Sequence, residues 1–266
     1  AQDKYIKFSL MDELQREDLD LSVLHHHGDF DTQYLSKEHK DMPKEYDEKM
    51  RDLHLPDFAE YKFNPNSRIV IFDACFNGAF QNDDCIANEY IFSNGKTVAC
   101  MGGSVNVIQD KWYDRMLGLL AFGHTIGEVN NQQELLESHI IGDPTFCFAL
   151  ETGIKESETA DGMVWQLTQD YWNGKASSSK LLELLKTSPY DQVRMQALQL
   201  LARFNNADFV KGIAVAAEDR YEMVQRFAMN YMKFNGSEEL AKPLMLTWIS
   251  PSTSARVKTD ARMAVE

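Results

Sequence analysis

The sequence predicts an α/β domain with a mostly parallel sheet, followed by an all-helical domain. Ile69–Phe72 is a short apolar run without polar alternation, which is typical of a strand buried on both faces of a parallel sheet. Strand-like and helix-like segments alternate up to about residue 150, which favours a three-layer α/β sandwich. From Leu181 onward the apolar residues follow only a helical period.

These patterns divide the chain into three segments. Residues 1–150 are predicted to form the α/β domain, 151–180 a polar linker with a leading helix, and 181–266 the helical domain.

Composition and charge limit the classes of partner. The 266 residues are 44% hydrophobic and 26% charged, as in an ordinary globular protein. The formal net charge of −14 argues against nucleic acid or an anionic membrane as the main partner. No apolar run approaches the ~18 residues needed to cross a bilayer, so no membrane-spanning segment is predicted.

The cysteine spacing excludes two common functions. Cys75, Cys85, Cys100 and Cys147 include no Cys-x-x-Cys pair, so neither a zinc ribbon nor a redox motif is indicated. Cys100 and Cys147 have apolar neighbours, which favours buried free thiols over a disulfide. No cofactor is predicted.

The strand at Ile69–Phe72 leads directly to the main candidate residue. Asp73-Ala74-Cys75 ends the apolar run, and Asn77-Gly78 supplies turn residues. Cys75 therefore follows the carboxyl end of a buried strand, the edge at which open α/β sheets bind ligands.

A second stretch, Leu19–Gly28, has the same form. Its apolar residues lead to His27-Gly28, which indicates another strand end opening into a loop. If the two strands are adjacent and parallel, His27 and Cys75 lie at the same edge of the sheet.

The other elements of the first domain follow in order. Between Gly28 and Asn66, opposite charges at helical spacing indicate a solvated insertion, either a surface crossover or a lid over a substrate. A strand is predicted at Thr97–Met101, and Gly102-Gly103-Ser104 ends it at the edge that carries Cys75. Helices are predicted at Met11–Asp18, Asp84–Phe92, Lys111–Phe122 and Thr125–Leu136.

Several segments together resemble the gingipain-like family of cysteine peptidases, in the same clan as the caspases. Ala74–Phe80 resembles that family's Ala-Cys-x-Asn-Gly-x-Phe, and His27 precedes Cys75 by 48 residues, close to the caspase spacing of about 50. Cys85-Ile-Ala, Thr97-Val-Ala-Cys and Ile141–Thr145 follow in the family's order. The resemblance covers roughly residues 15–150. Gingipain-like domains usually have further strands before the His-Gly strand, so the resemblance implies either a reduced sheet or a domain that lacks its N-terminal strands. It implies a caspase/gingipain-like sandwich, cysteine endopeptidase activity on peptide or protein substrates, and a secreted or cell-envelope bacterial protein.

The chemistry of such a peptidase assigns three roles. It needs a thiolate nucleophile, a base and donors for the developing oxyanion. We predict Cys75 as the nucleophile, the alternative being a packed core cysteine. We predict His27 as the acid–base residue, and the N–H groups of Gly28 and Cys75 as the oxyanion hole. No third residue is predicted to orient His27.

Further residues are candidates for a substrate pocket. Asp73 precedes the Ala-Cys pair, where gingipains carry an apolar residue and caspases a glutamine; it either faces the pocket or caps a turn. Trp112 either lines the pocket, like a similarly placed tryptophan of gingipains, or packs in the core. The full set of pocket candidates is Asp73, Asn77, Gly102, Ser104 and Trp112.

The three consecutive histidines also permit a metal site. Alternate residues of a strand share a face, so His25 and His27 would point together and His26 away. Zinc would need a third ligand, and no motif at ligand spacing supplies one. No metal is therefore predicted.

The helical domain contains an internal repeat. Val193–Ala197, Val224–Ala228 and Val257–Ala261 share the pattern Val-x-x-x-Ala at spacings of 31 and 33 residues, each after a turn. Two helices per unit of this length resemble short HEAT-like repeats, with an irregular helical bundle as the alternative. The last unit ends without a polar cap, which predicts further repeats in the natural chain.

Three functions remain open at this stage. The first is a cysteine endopeptidase with a Cys75/His27 dyad. The second is a catalytically degenerate peptidase fold that acts as a binding or assembly module, with the helical repeats as its contact surface. The third is a metal-dependent hydrolase built around His25 and His27.

Overall fold

The computed structural model divides the chain into two compact units, Ala1–Thr152 and Gly153–Glu266. The residues that the structure describes are 7–35, 51–107, 113–133, 136–149 and 153–265. None of the helices in these ranges is both long enough and apolar enough to cross a membrane.

The first unit is mixed α/β. Its strands are β1 Leu21–His25, β2 His27–Asp29, β3 Thr32–Tyr34, β4 Leu53–His54, β5 Ile69–Asp73, β6 Ala99–Gly103 and β7 Ser138–Gly142. Its helices are α1 Lys7–Leu14, α2 Leu55–Tyr61, α3 Ile86–Phe92 and α4 Ile126–Gln132, with a 3-10 helix at Leu117–Phe122.

The main sheet is mostly parallel. Its strand order is β1-β5-β6-β7, in which β1, β5 and β6 run parallel and β7 runs antiparallel to β6. Ile69, Val70, Ile71 and Phe72 are all 0% exposed. Because successive side chains of a strand point to opposite faces, β5 is buried on both faces, as its sequence predicts.

An aromatic cluster fills the core beside one face of β5. The ring of Tyr90 lies 5.1–5.5 Å from those of Phe58, Phe63 and Phe72, each at a steep angle. Edge-to-face pairs of this kind stabilise a core by ~1 kcal/mol beyond their buried area. Residues of α1, α2 and α3 belong to the same cluster, so this face of the sheet is covered by the three helices.

Local signals in the sequence set the ends of the short helices. The backbone N–H of His54 donates to Asp57, and Lys62 ends α2 in the left-handed region at φ 52°. Thr125 and Glu128 form a reciprocal capping box at the start of α4. Capping of this kind stabilises helices that are too short to form alone.

The helix predicted at Lys111–Phe122 is wrong over most of its length. Met116 lies in the left-handed region at φ 71°, which breaks a continuous helix, and only the 3-10 helix follows it. Residues 111–112 fall outside the described ranges. The strand predicted at Thr97–Met101 begins and ends two residues later, because Gly102 and Gly103 pair with β7 rather than ending the strand.

A second sheet was not predicted. The antiparallel strands β2, β3 and β4 form it, and His27 and Tyr34 are a register pair of β2 and β3. His27 therefore starts a strand of this small sheet, whereas the sequence predicted it at the end of the first strand.

The second unit is helical throughout its described residues. After a 3-10 turn at Glu156–Glu158 come α5 Ala160–Trp172, α6 Ser178–Thr187, α7 Asp191–Phe204, α8 Ala207–Ala216, α9 Glu222–Lys233, a 3-10 turn at Glu238–Leu240, α10 Ala241–Ile249 and α11 Ala255–Val265. Helix α6 packs against α7 and α8, and α9 packs against α11.

The repeated Val-x-x-x-Ala pattern lies on α7, α9 and α11. All six of its valines and alanines are at most 2% exposed. Small alanines at these positions allow neighbouring helices to approach closely. Arg194 of α7 and Asp219 form a buried ion pair, in which Nε lies 2.7 Å from Oδ2.

All four cysteines are free. Cys100 is buried as predicted, but Cys147 is exposed, so the prediction of a buried thiol is wrong there. Its flanking rings, Phe146 and Phe148, contact each other at 5.2 Å. Burial raises the pKa of the Cys85 and Cys100 thiols.

Candidate active site at the carboxyl edge of the sheet

The register of β1 and β5 aligns the two segments that carry the proposed dyad, His27-Gly28 after β1 and Ala74-Cys75 after β5. Leu21 pairs with Ile69 and His25 with Asp73, a constant offset of 48 residues, which equals the separation of His27 and Cys75. The backbone N–H of His26 still donates to the carbonyl of Asp73, at 3.4 Å. The segments that follow the two strands therefore leave the sheet side by side.

Cys75 lies in a sharp turn after β5. The next residue, Phe76, is in the left-handed region at φ 57°, a conformation that costs a bulky residue ~1–3 kcal/mol and that tends to cluster at functional sites. The N–H of Phe76 donates to the carbonyl of Val105 at 3.2 Å, and that of Gly78 donates to Gly103 at 3.0 Å. The turn is thus bonded to the segment that contains the end of β6.

The thiol of Cys75 is half-buried and faces a backbone donor. The N–H of Val107 donates to Sγ at 3.2 Å, and the carbonyl oxygen of Val107 lies 3.8 Å from Sγ. A backbone N–H at this position stabilises negative charge on sulfur. The N–H of Cys75 itself donates to none of the described residues.

Gly28 contacts the Cys75 turn directly. A Cβ atom added to Gly28 would lie 2.5 Å from the carbonyl oxygen of Cys75 and 2.6 Å from Nδ2 of Asn77. No side chain fits at this position, because real Cβ contacts are longer than 3.0 Å. The structure therefore gives a packing reason for this glycine, whereas the sequence suggested access for a substrate carbonyl.

The structure brings the His27 segment to Cys75 without joining the two side chains. His27 is exposed, and its ring makes no hydrogen bond to Sγ. Contacts between a catalytic base and its nucleophile are often long before substrate binds.

Asn77 does not line a pocket, contrary to its prediction. It is 0% exposed, and its Nδ2 donates to the carbonyl of Asp29 at 2.7 Å and to that of Thr32 at 3.2 Å. Its Oδ1 is buried without a hydrogen-bond partner among the described residues. Asn77 thus connects the Cys75 turn to the β2–β3 hairpin.

Gly102 is also wrong as a pocket residue, because it is buried within β6 and a Cβ there would lie 3.2 Å from Phe72. Ser104 is half-buried, and its Oγ lies 3.0 Å from Nε2 of His139. The predicted pocket residue Trp112 lies outside the described residues.

Asp73 accepts a hydrogen bond from a histidine that the motif did not single out. Nδ1 of His25 lies 2.5 Å from Oδ2 of Asp73. The Asp73 side chain is only 13% exposed, whereas that of His25 is 79% exposed. Asp73 is thus neither a free pocket carboxylate nor a turn cap.

His26 is half-buried, whereas His25 and His27 are exposed. Its Nδ1 donates to the carbonyl of His27 at 2.8 Å, and its Nε2 accepts from Nε2 of Gln33 at 2.9 Å. Oε1 of Gln33 in turn accepts from the hydroxyl of Tyr90 at 3.0 Å. Burial lowers the pKa of His26 to about 4, so the ring is neutral at pH 7.

Tyr113 is a residue of this site that sequence reasoning missed. It is 0% exposed, and its hydroxyl has no hydrogen-bond partner among the described residues. A Cβ added to Gly103 would lie 2.8 Å from that hydroxyl. Burial raises the pKa of Tyr113, as do the nearby charges of Glu137, Asp73 and Cys75. Its sequence context, next to Trp112, carries no signal that would have identified it.

The three histidines do not converge on a metal site. Within the described ranges, no group of three or more histidine, cysteine and acidic side chains could hold a metal ion. His25 bonds to Asp73, His26 bonds to Gln33, and His27 starts another sheet.

Comparison with known proteins finds no relative. No protein-family model, curated protein or solved structure matches the chain.

Proposed function

We propose that the first unit is a gingipain-like cysteine endopeptidase domain with Cys75 as nucleophile and His27 as acid–base residue. The observation that carries the proposal is the direct packing of Gly28 on the carbonyl of Cys75 at the carboxyl edge of the sheet. This contact joins the His27–Gly28 segment to the Cys75 turn. His27 and Cys75 are 48 residues apart in sequence, which is also the offset between paired residues of β1 and β5. The N–H of Val107 on Sγ adds a donor suited to a thiolate.

The proposed reaction follows from these positions. The Cys75 thiolate attacks the scissile carbonyl carbon, and the carbonyl oxygen takes up the electron pair near the N–H groups of Cys75 and Gly28. The carbon–nitrogen bond then breaks, and His27 gives a proton to the leaving amine. A thioester remains. Water attacks it, transfers a proton to His27 and releases the carboxylic acid product and the thiolate.

The same resemblance extends to fold and location. We propose that the mostly parallel sheet and its helices form a caspase/gingipain-like sandwich. The β1–β5 order, with both motif segments at one edge, supports this proposal. A secreted or cell-envelope location in a bacterium is proposed from the sequence resemblance alone.

A binding or assembly module is the second candidate function, and we propose that its contact surface lies on HEAT-like repeats in the second unit. Helix α10 favours it: Thr247 is the buried residue of this helix, while Met245, Leu246 and Ile249 are 45–66% exposed. Apolar side chains grouped on an exposed helix face indicate an interaction surface. If the chain assembles with itself through this face, Leu246→Glu should lower its sedimentation coefficient; a monomer before and after the change contradicts self-assembly.

The peptidase proposal is tested by iodoacetamide labelling of Cys75 as a function of pH. We expect rapid labelling below pH ~7 that His27→Ala slows at least tenfold. The exposed Cys147 serves as an internal reference. Labelling that follows the ionisation of an ordinary thiol, near pH ~8.5, and ignores His27→Ala would contradict the dyad.

A further inference from the structure

We propose that Asn77 is a positioning residue, which acts by holding the His27–Gly28 strand against the turn that carries Cys75. This inference rests on the proposed function, because it assigns a role relative to the Cys75/His27 dyad.

The geometry of Asn77 carries the inference. The segments that follow β1 and β5 leave the main sheet side by side. His27 then enters the small sheet as part of β2, whereas Cys75 lies in the turn after β5. Nδ2 of Asn77 crosses this gap with its bonds to the carbonyls of Asp29 and Thr32, at the two ends of the β2–β3 turn. Asn77 therefore holds the hairpin to the Cys75 turn at a point two residues from Cys75.

The hairpin is held at two further points. The N–H of Ile86 donates to the carbonyl of Phe30 at 2.9 Å, so the first residue of α3 holds the tip of the hairpin. His26 and Gln33 connect the hairpin to Tyr90 in the core. Of these three attachments, the one through Asn77 links the hairpin to the turn that carries Cys75.

The chemistry of the asparagine amide fits this role. The site needs two donors, because both partners are backbone carbonyls, and an amide nitrogen supplies two hydrogens. A carboxylate at the same position would face two carbonyl oxygens and repel them. Oδ1 remains buried without a partner among the described residues. The side chain is therefore used for its donors alone, which a residue chosen only to fill space would not require.

The consequence for catalysis is positional. Displacement of a catalytic group by about 1 Å can cost ~100-fold in rate, even when the change lies away from the reacting atoms. Loss of the two Asn77 bonds removes the hydrogen bonds between the Cys75 turn and the hairpin that carries His27 and Gly28. The effect of losing these bonds on the reactivity of Cys75 should therefore depend on the presence of His27.

The experiment is a double-mutant cycle on Cys75 labelling in the full chain. Rates and their pH profile are measured with iodoacetamide for the wild type, Asn77→Ala, His27→Ala and the double variant, relative to Cys147. We expect Asn77→Ala to slow labelling at pH 6 about tenfold and to shift the profile toward that of His27→Ala. In the His27→Ala background, the same change should cost less than twofold, because coupled residues are not additive.

Two variants serve as controls. Asn64→Ala removes an exposed asparagine whose Nδ2 also donates to a backbone carbonyl, that of Lys62 at 2.9 Å, and should leave labelling unchanged. Asn77→Ser keeps a polar side chain, but its Oγ lies about one bond length short of the position of Nδ2, so it should slow labelling nearly as much as Asn77→Ala. Cys100 is fully buried, so its labelling reports unfolding. If Asn77→Ala unfolds by this measure, Asn77→Ser takes its place in the cycle.

The outcomes separate the inference from the proposed function. A folded Asn77→Ala that labels like the wild type, or equal slowing in both His27 backgrounds, overturns the positioning role. Wild-type labelling that does not depend on His27 overturns the dyad itself, whatever Asn77 does.

Discussion

The imidazole of His25 and the carboxylate of Asp73 are joined at the carboxyl edge of the sheet, with Nδ1 2.5 Å from Oδ2. The two residues are also a register pair of β1 and β5. A carboxylate that holds Nδ1 leaves Nε2 directed away, which is the arrangement that orients many catalytic histidines. In this chain the oriented histidine is His25, whereas the sequence motif points to His27.

The relative roles of the two histidines can be separated by single substitutions. We expect His27→Ala to slow Cys75 labelling below pH 7 at least tenfold, and His25→Ala and Asp73→Asn to change it less than threefold. The reason is that the hairpin brings the His27–Gly28 strand onto the Cys75 turn. Slow labelling in both His25→Ala and Asp73→Asn, with His27→Ala unchanged, would transfer the role of base to His25.

Gly28 should not tolerate a side chain. Gly28→Ala forces a Cβ to within 2.5 Å of the Cys75 carbonyl oxygen and 2.6 Å of Nδ2 of Asn77, which is itself held by two hydrogen bonds. Overpacking of this kind costs ~1–3 kcal/mol in the free energy of unfolding.

The cost at Gly28 can be measured from the labelling of buried Cys100 over a urea series, since Cys100 reports unfolding of the first unit. The wild type is the reference. If Gly28→Ala has the same Cys100 midpoint as the wild type, the close contact is wrong.

The sequence was informative where the pattern of apolar side chains matches the residues that the fold buries. The buried run Ile69–Phe72 became the strand β5, because a continuous apolar run of this length fits a strand covered on both faces. The stretch before the histidines became its parallel neighbour β1. The repeated valine and alanine positions of the helical unit are likewise buried on α7, α9 and α11.

The sequence was uninformative where burial is satisfied by polar atoms. The β2–β3 hairpin buries Thr32 and Gln33 through hydrogen bonds to His54 and Tyr90, so it lacks the apolar alternation that identifies a strand. Asn77 was misassigned for the same reason: an asparagine beside a turn glycine predicts a loop, and its long-range bonds to the hairpin leave no local pattern.

His26 should make the stability of the first unit depend on pH. Its folded pKa of about 4 lies below the usual value of 6.5, so the unfolded chain binds the proton more tightly. The contribution is fully present above pH 6.5 and is lost as pH falls from there toward 4. We expect a loss of about 3 kcal/mol over this window, because protonated Nε2 would face the amide hydrogens of Gln33.

The pH dependence is measured by urea unfolding of the wild type and of His26→Gln at pH 7.5 and pH 4.5. Carboxylates and the other histidines titrate in both proteins, so the difference between the two slopes isolates His26. If the free energy of unfolding changes equally with pH in the two proteins, the pKa of His26 is not lowered by folding.

The ion pair of Arg194 and Asp219 should be costly to break from one side. Both side chains are at most 5% exposed, and the guanidinium donates twice to the carboxylate and also to the carbonyls of Ser188 and Pro189. Asp219→Ala leaves a buried charge without its partner, which costs ~3–5 kcal/mol in the free energy of unfolding. Removal of both charges in Arg194→Met/Asp219→Leu should recover most of that loss.

The exposed pair of Lys155 and Glu158 is the control, because Glu158→Ala should cost less than ~0.5 kcal/mol. Urea unfolding followed by far-UV circular dichroism measures all three variants, and an Asp219→Ala midpoint equal to that of Glu158→Ala would mean that water reaches the pair.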